Sequence, residues 1–431
     1  MVDTNAGAGF TNMAEVKAGT AGPYSGKLPD SLVRPFRVGF APRLGMALRL
    51  PRQTVIRGGY GLNYTNSEYS SFASTMAHQP PFANEQTNIA ANLCASPTDA
   101  CLTLANGFPA PALIGNYALD PTYRLPYVQV WNVDIQKTLP WGVVLNAGYN
   151  GSKGNNLDVT IAPRRSTTSP NTNVTNAVFN YEESAGFSRF NAGTLRVNKR
   201  LSNGVSLGAN YQYSHSIDDA GALGGTSTVV AQNWQDILAE EGNSSIDQRH
   251  RVTGTYLFEL PLGKDKRWLT TGKPSHIFEG LSVSGNFTFA AGTPLTPDYA
   301  AAISDVIRGT AGTLRPDHVQ NVSPTAGGGS AKKWFNAAAF TQPTPDAFGN
   351  ALGNVSRNSI TGPGTFQNNM TLSKTLQLGE TRSMEFRASA NNVFNTVQYV
   401  GVDTNLNSPS AGQVTSAAAM RQFNFMARFR F

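Results

Sequence analysis

The chain has 431 residues, of which only 14% are charged, with 42 glycines, 25 prolines and a formal net charge of +7. A mean hydropathy of -0.27 and the lack of any apolar run of about 18 residues exclude a transmembrane helix. The excess positive charge does not read as a nucleic-acid surface, because Lys and Arg are scattered singly, with no basic block and no helix to carry one.

Residues 1–35 are rich in Gly, Ala and Pro without a sustained period and read as an irregular segment. They contain no basic stretch followed by an apolar one, so no secretory signal is visible, and the chain is expected to be a mature or truncated piece of something longer. From Phe36 an alternation begins. Phe36, Val38, Phe40, Leu44, Met46, Leu48 and Leu50 fall on one face and Arg37, Arg43 and Arg49 on the other, because successive strand side chains point to opposite sides. A turn over residues 51–53 leads to Ile56, Tyr60, Leu62 and Tyr64, backed by Arg57, Gly59, Gly61 and Asn63, which completes a hairpin.

No strand pattern follows until Leu125. That stretch holds the two cysteines, Cys94 and Cys101, whose closeness reads as one small loop disulfide made in an oxidising compartment, with two free thiols as the alternative. A second hairpin then sets Tyr127, Trp131, Val133, Ile135 and Leu139 against Val143, Leu145, Ala147 and Tyr149, around a turn at residues 140–142. After a long polar connection over residues 151–187, a third pairs Leu195, Val197 and Leu201, opposed by Arg196, Asn198 and Arg200, with Val205, Leu207, Ala209, Tyr211 and Tyr213.

The loop over residues 215–249 carries Asp218, Asp219, Asp236, Glu240, Glu241 and Asp247. These oxygens suit Ca²⁺ in kind, but their spacing matches no ligand loop, which favours a solvated acidic surface. His250 stands at the next strand start without metal-ligand spacing nearby. A fourth hairpin matches Val252, Tyr256, Phe258 and Leu260 with Leu281, Val283, Phe287 and Phe289 across a link over residues 261–280. The long segment 292–364 is full of Gly, Pro and Asn; its Ser330 and Lys333 fit S-x-x-K, but without the supporting motifs of a nucleophilic enzyme. Met370, Leu372, Leu376 and Leu378 return on Met384, Phe386, Ala388 and Ala390, with Arg387 opposite. The chain ends on Phe423, Phe425, Ala427, Phe429 and Phe431, backed by Gln422, Asn424, Arg428 and Arg430.

These are about eleven two-faced strands, and their connections alternate strictly between short turns and long excursions. That rhythm predicts an all-β, antiparallel transmembrane barrel in the bacterial outer membrane, with short periplasmic turns and long extracellular loops. A soluble sandwich would have shorter strands and no such asymmetry, and a propeller would repeat in fours. On this reading Tyr64, Tyr149, Tyr213 and Phe289 form an outer aromatic girdle and Trp141 and Phe258 an inner one. Arg37, Arg43, Arg49, Arg57, Arg196, Arg200, Arg387, Arg428 and Arg430 face a wet lumen. No G-x-S-x-G motif, P-loop or Cys/His cluster occurs, so neither an enzyme nor a cofactor or metal site is expected.

Six phrases in order, FAPRLGMALRLPRQTVIRGGYGLNY, YVQVWNVDIQKTLPWGVVLNAGYNGSKG, FNAGTLRVNKRLSNGVSLGANYQYSHSIDDA, DQRHRVTGTYLFELPLGKDKRW, GNFTFAAGTPLTP and MEFRASANNVFN, resemble the C-terminal half of the barrel of Oar-like TonB-dependent receptors of the acidobacterial type. The resemblance runs over residues 36–431. It implies a 22-stranded barrel set in outer-membrane lipid, an N-terminal plug, drive from the TonB complex and an extracellular ligand of unknown identity. Neither a plug nor its TonB box is recognisable in this sequence, so about half of such a wall is present, and either a further part of the protein or another chain is expected to complete it. Two other readings stand beside it: a surface structural or adhesive β-protein without transport, and a passive porin that its arginines would make anion-preferring.

Overall fold

The structure, a computed structural model, describes residues 2–4, 13–15, 19–27, 33–66, 68–78, 116–161, 179–219, 231–233, 236–264, 266–299, 314–344, 351–379 and 381–431. One antiparallel meander dominates it. In chain order its strands are β1 (Arg43–Leu50), β2 (Thr54–Tyr64), β3 (Tyr127–Leu139), β4 (Val143–Ile161), β5 (Phe179–Ser202) and β6 (Val205–Asp218). They continue as β7 (His250–Glu259), β8 (Leu281–Ala290), β9 (Thr365–Gln377), β10 (Ser383–Asn391) and β11 (Gln422–Arg430). Each strand pairs with its sequence neighbour, while Asn116–Leu119 adds to β5 and Gly242–Asn243 to β6.

The register shows why the pattern matters. Residues opposite one another in a ladder share a face. Across nine strands one continuous row reads Leu48, Ile56, Ile135, Ala147, Leu195, Tyr211, Val252, Phe289 and Phe366. The adjacent row, one residue along each strand, reads Arg49, Val55, Gln136, Asn146, Arg196, Asn210, Thr253, Thr288 and Gln367, all polar except Val55. At the other edge Met384, Phe386, Ala388 and Ala390 oppose Phe429, Ala427, Phe425 and Phe423. A slip of one residue anywhere would exchange the faces, and none occurs along these rows.

The apolar face is not a sealed core. Leu44 is 70% and Phe425 80% exposed, so the rows meet the surroundings directly. Buried side chains collect instead at one end of the meander, where Val33, Phe72, Tyr117, Leu119 and Tyr123 pack together, and Phe335, Ala339, Phe340, Val355 and Ile360 do likewise. At that end lie the described parts of the connections 65–126, 219–249, 291–364 and 392–421. At the other lie the tight turns 51–53, 140–142, 203–204 and 378–382 and the link 260–280. Asn203 and Gly204 both have positive φ (52° and 74°), the two-residue turn whose twist suits a hairpin. Among the described residues no helix is long and apolar enough to cross a membrane.

Three expectations need correction. The first strand begins at Arg43 rather than Phe36, because Pro42 has no N–H to continue a ladder; Arg37 therefore precedes the wall. Residues 151–187 are not all connection: β4 runs on to Ile161 and β5 starts at Phe179, so this hairpin stands well beyond its neighbours. The described parts of two long segments carry structure of their own, with α1 (Glu68–Ala77) in the first and short antiparallel pairs of 294–295 with 360–361 and 317–318 with 340–341 in another.

Among the described residues β1 pairs only with β2 and β11 only with β10, and both strands are exposed along their whole length. Opposite fates are expected for neighbouring β8 substitutions in the lipid-embedded protein. Val283→Arg, on the apolar face, should lose about 2–4 kcal/mol in denaturant unfolding, whereas Ser284→Arg, one residue along on the polar face, should lose less than about 1 kcal/mol.

Candidate functional site

Two surfaces can meet a solute, the polar face of the wall and the cap formed by the long connections. On the polar face Arg43 donates to Asn63 Oδ1 at 2.8 Å and Arg57 to Gln136 Oε1 at 2.9 Å. Arg387 pairs with Glu385 at 2.7 Å, and Arg428 is the register partner of that same glutamate, with Arg430 opposite Ser383. Arg49 and Arg196 lie on the polar row; Arg200 falls in the irregular stretch of β5 between Lys199 and Ser202. A depression of about 390 Å³ opens there, lined by Arg196, Asn210, Thr253, Asn286 and Thr288 among others. Cations, amides and hydroxyls in this array make a wettable surface that exchanges hydrogen bonds with water or a polar solute.

At the outer end, the tall β4–β5 hairpin receives the parallel strand Asn116–Leu119, and the buried Tyr117 donates its hydroxyl to the Glu182 carboxylate. Burial, followed by the charge of Glu182, pushes the Tyr117 hydroxyl above the usual phenol range.

Three other connections are tied into one body. Glu240 and Arg315 form a two-pronged ion pair, Nη1 to Oε2 at 2.6 Å and Nη2 to Oε1 at 3.0 Å, with side chains 0% and 3% exposed. The same glutamate accepts from the Gln232 backbone at 3.0 Å, Gln232 donates to the Gly353 carbonyl at 2.8 Å, and Arg315 Nε donates to the Val355 carbonyl at 2.8 Å. Arg357 bonds Asp218, and Asn358 Nδ2 donates to the Asn243 carbonyl at 2.6 Å. The segment 392–421 joins through Trp334 N to the Gly412 carbonyl at 2.6 Å and Leu406 N to the Asp298 carbonyl at 2.8 Å.

The acidic residues of segment 215–249 are thus mostly ties rather than a solvated surface. Asp218 holds Arg357, and Asp219 accepts from the Phe187 backbone at 2.9 Å. Asp247 accepts from Ser216 N at 2.7 Å and pairs with Arg249 at 2.9 Å, and Asp236 caps the short helix at Ile237–Glu240. Of the six, Asp236 and Glu241 are exposed. Among the described residues no group of His, Cys, Asp and Glu is arranged to hold a metal ion. Arg315, Arg357 and Gln232 carry no periodic signal in the sequence; the segments they tie together across the cap lie tens of residues apart, beyond the reach of pattern.

Two carboxyls in the cap are displaced in opposite directions. Burial, then the nearby charge of Asp403, raises Asp298, and its enclosed Oδ1 meets no hydrogen-bond donor among the described residues. Bonds from Ser408 and Ser410 hold Asp403 below the usual carboxylate range. Elsewhere, His250 sits with Tyr211 and Tyr213 on the apolar face, Nδ1 2.9 Å from the Tyr211 hydroxyl. Ser330 and Lys333 close a tight turn on each other's backbone. Cys94 and Cys101 lie outside the described residues.

The sequence matches the outer membrane beta-barrel domain over residues 2–424. The chain belongs to that family. Its place is therefore the bacterial outer membrane, and the meander is part of a barrel-domain wall. Among solved structures this barrel domain is similar to the outer membrane transporter YddB of Escherichia coli (10% identity, 88% of this chain and 39% of that one, TM-score 0.46). It is similar also to the siderophore receptor PiuA of Acinetobacter baumannii (10%, 91% and 35%, 0.43) and to the FrpB iron transporter of Neisseria meningitidis (9%, 91% and 38%, 0.45). The chain spans less than two-fifths of the length of these solved structures, and what they carry is a property of their own chains. Among curated proteins no match is found.

Removing one member of the central ion pair leaves the other charged and enclosed. Arg315→Met should therefore loosen the cap by about 3–5 kcal/mol, read as faster amide exchange over residues 231–247 and 314–358. The double change Arg315→Met with Glu240→Leu should recover most of that loss, and exchange in β7 to β10 should stay as before.

Proposed function

We propose that residues 36–431 are the C-terminal wall of an outer-membrane uptake receptor of the Oar-like, TonB-dependent type. The observation that carries this reading is the joint one of a two-faced wall and a cap locked together at one end of it. In this reading the arginine-bearing polar face turns toward the lumen, and the apolar face meets outer-membrane lipid. The cap lies outside and captures a ligand.

The open edges of β1 and β11 support the further proposal that this wall is about half of a 22-stranded barrel. Unpaired backbone groups are not tolerated against hydrocarbon, so each edge requires another strand. A plug filling the lumen would take up the donors of Arg43, Arg57 and Arg196, and coupling to the TonB complex would release it. Ligand chemistry would be set by the cap, which carries amides, hydroxyls, paired ions and exposed charges such as Glu241 and Lys332. Residues 1–35 precede the wall and join the cap through Val33, and Cys94 with Cys101 would close a disulfide in the first extracellular connection.

Ion conductance separates the readings. The natural full-length protein in a planar lipid bilayer bathed in potassium chloride should show no steady current. Urea sufficient to unfold a plug, but not a barrel, should open large steps. Steady open steps without urea would make it a porin, and silence in both conditions would make it an adhesive or structural protein.

A further inference from the structure

The link 260–280 differs from the tight turns that share its end of the wall. It carries apolar side chains with nothing over them: Trp268 is 55% and Ile277 61% exposed, and Leu269 and Phe278 are open as well. Its charges are mainly basic, with Lys264, Lys266, Arg267 and Lys273 along it, and the Arg267 guanidinium lies over the Trp268 ring at 5.4 Å.

Lys374 decides where the link lies. In the ladders it is the partner of Leu281 and of Phe386, which puts it on the apolar face. Its Nζ donates to the carbonyls of His276 at 3.1 Å and Glu279 at 2.7 Å, at the C-terminal end of α2 (Lys273–Phe278). A lysine reaching the last carbonyls of a helix both satisfies them and fixes the helix in place. Here it fixes α2 to the apolar side of the wall. Next to that attachment an apolar trough of about 570 Å³ runs between Leu281, Leu372, Phe386 and Phe425.

We propose that residues 261–280 form an interfacial anchor seated in the periplasmic leaflet of the outer membrane. Trp268, Leu269, Ile277 and Phe278 enter the acyl boundary, and Lys264, Lys266, Arg267 and Lys273 meet anionic phospholipid headgroups. Aromatic and aliphatic groups beside a basic fringe are the combination that holds a segment in the plane of a membrane surface. Continuity with the apolar face places the link at that surface, and charge complementarity selects anionic phospholipid over a neutral one.

The anchor rests on the proposed lipid exposure of the apolar face, and tryptophan emission tests the two separately. The full-length protein is placed in phosphatidylethanolamine and phosphatidylglycerol vesicles whose acyl chains are brominated. The contribution of Trp268 is the difference from Trp268→Phe, and that of the wall is the difference from Trp131→Phe, since Trp131 lies on the apolar face opposite Tyr60. Both contributions should fall at least twofold with brominated lipid and change little with aqueous acrylamide. If Trp131 is quenched by bromine and Trp268 is not, whether or not acrylamide reaches it, the anchor is overturned and the wall stands. If neither responds to bromine, both are overturned. Reversing Lys266, Arg267 and Lys273 to Glu should weaken Trp268 quenching only where phosphatidylglycerol is present; an unchanged signal would overturn the headgroup contact.

Discussion

Everything in this molecule follows from pairing the backbone sideways. A strand in hydrocarbon has no water to satisfy its N–H and C=O groups, so each must find them on a neighbouring strand. The pleat then sends alternate side chains to opposite faces whether or not both faces suit them. The chain meets that constraint with two adjacent rows across nine strands, one from Leu48 to Phe366 and one from Arg49 to Gln367, which stay in phase throughout.

The two ends of the wall answer different demands. At one end brief turns keep neighbouring strands in register, and the one longer link folds back against the apolar side through Lys374. At the other the chain leaves the lipid, and the alternation gives way to ordinary globular packing. There the buried pair of Glu240 and Arg315 joins two connections, and Phe335, Phe340 and Ile360 supply a small core. A surface ion pair contributes little, whereas an enclosed one is costly to break and so holds its segments in a single arrangement.

How far the sequence was legible follows this division. The hairpins of the wall could be read from alternation alone, since lipid and lumen select side chains at every second position of Tyr127–Leu139 or Ser383–Asn391. Reading failed at Phe36, where the alternation of Phe36, Val38 and Phe40 continued past Pro42, a residue that ends the ladder. It failed again over residues 151–161, where GSKGNN carries no period and the alternation of Leu157, Val159 and Ile161 that follows is too short to mark a strand by itself. The ties of the cap were invisible for a different reason. Glu240 and Arg315 are 75 residues apart, and nothing local in either segment names the other; the acidic residues looked like a charged surface because their partners were not in view.

The central claim is that neighbouring residues of one strand live in different solvents. Spin labels placed singly at residues 281–290 of β8, in the full-length protein in lipid vesicles, test it most directly through collision with oxygen, which concentrates in lipid, and with a nickel chelate, which stays in water. The account predicts a period of two for both, in opposite phase, with oxygen favoured at 281, 283, 287 and 289. Uniform accessibility along the strand, or the two relaxants rising and falling together, would contradict it.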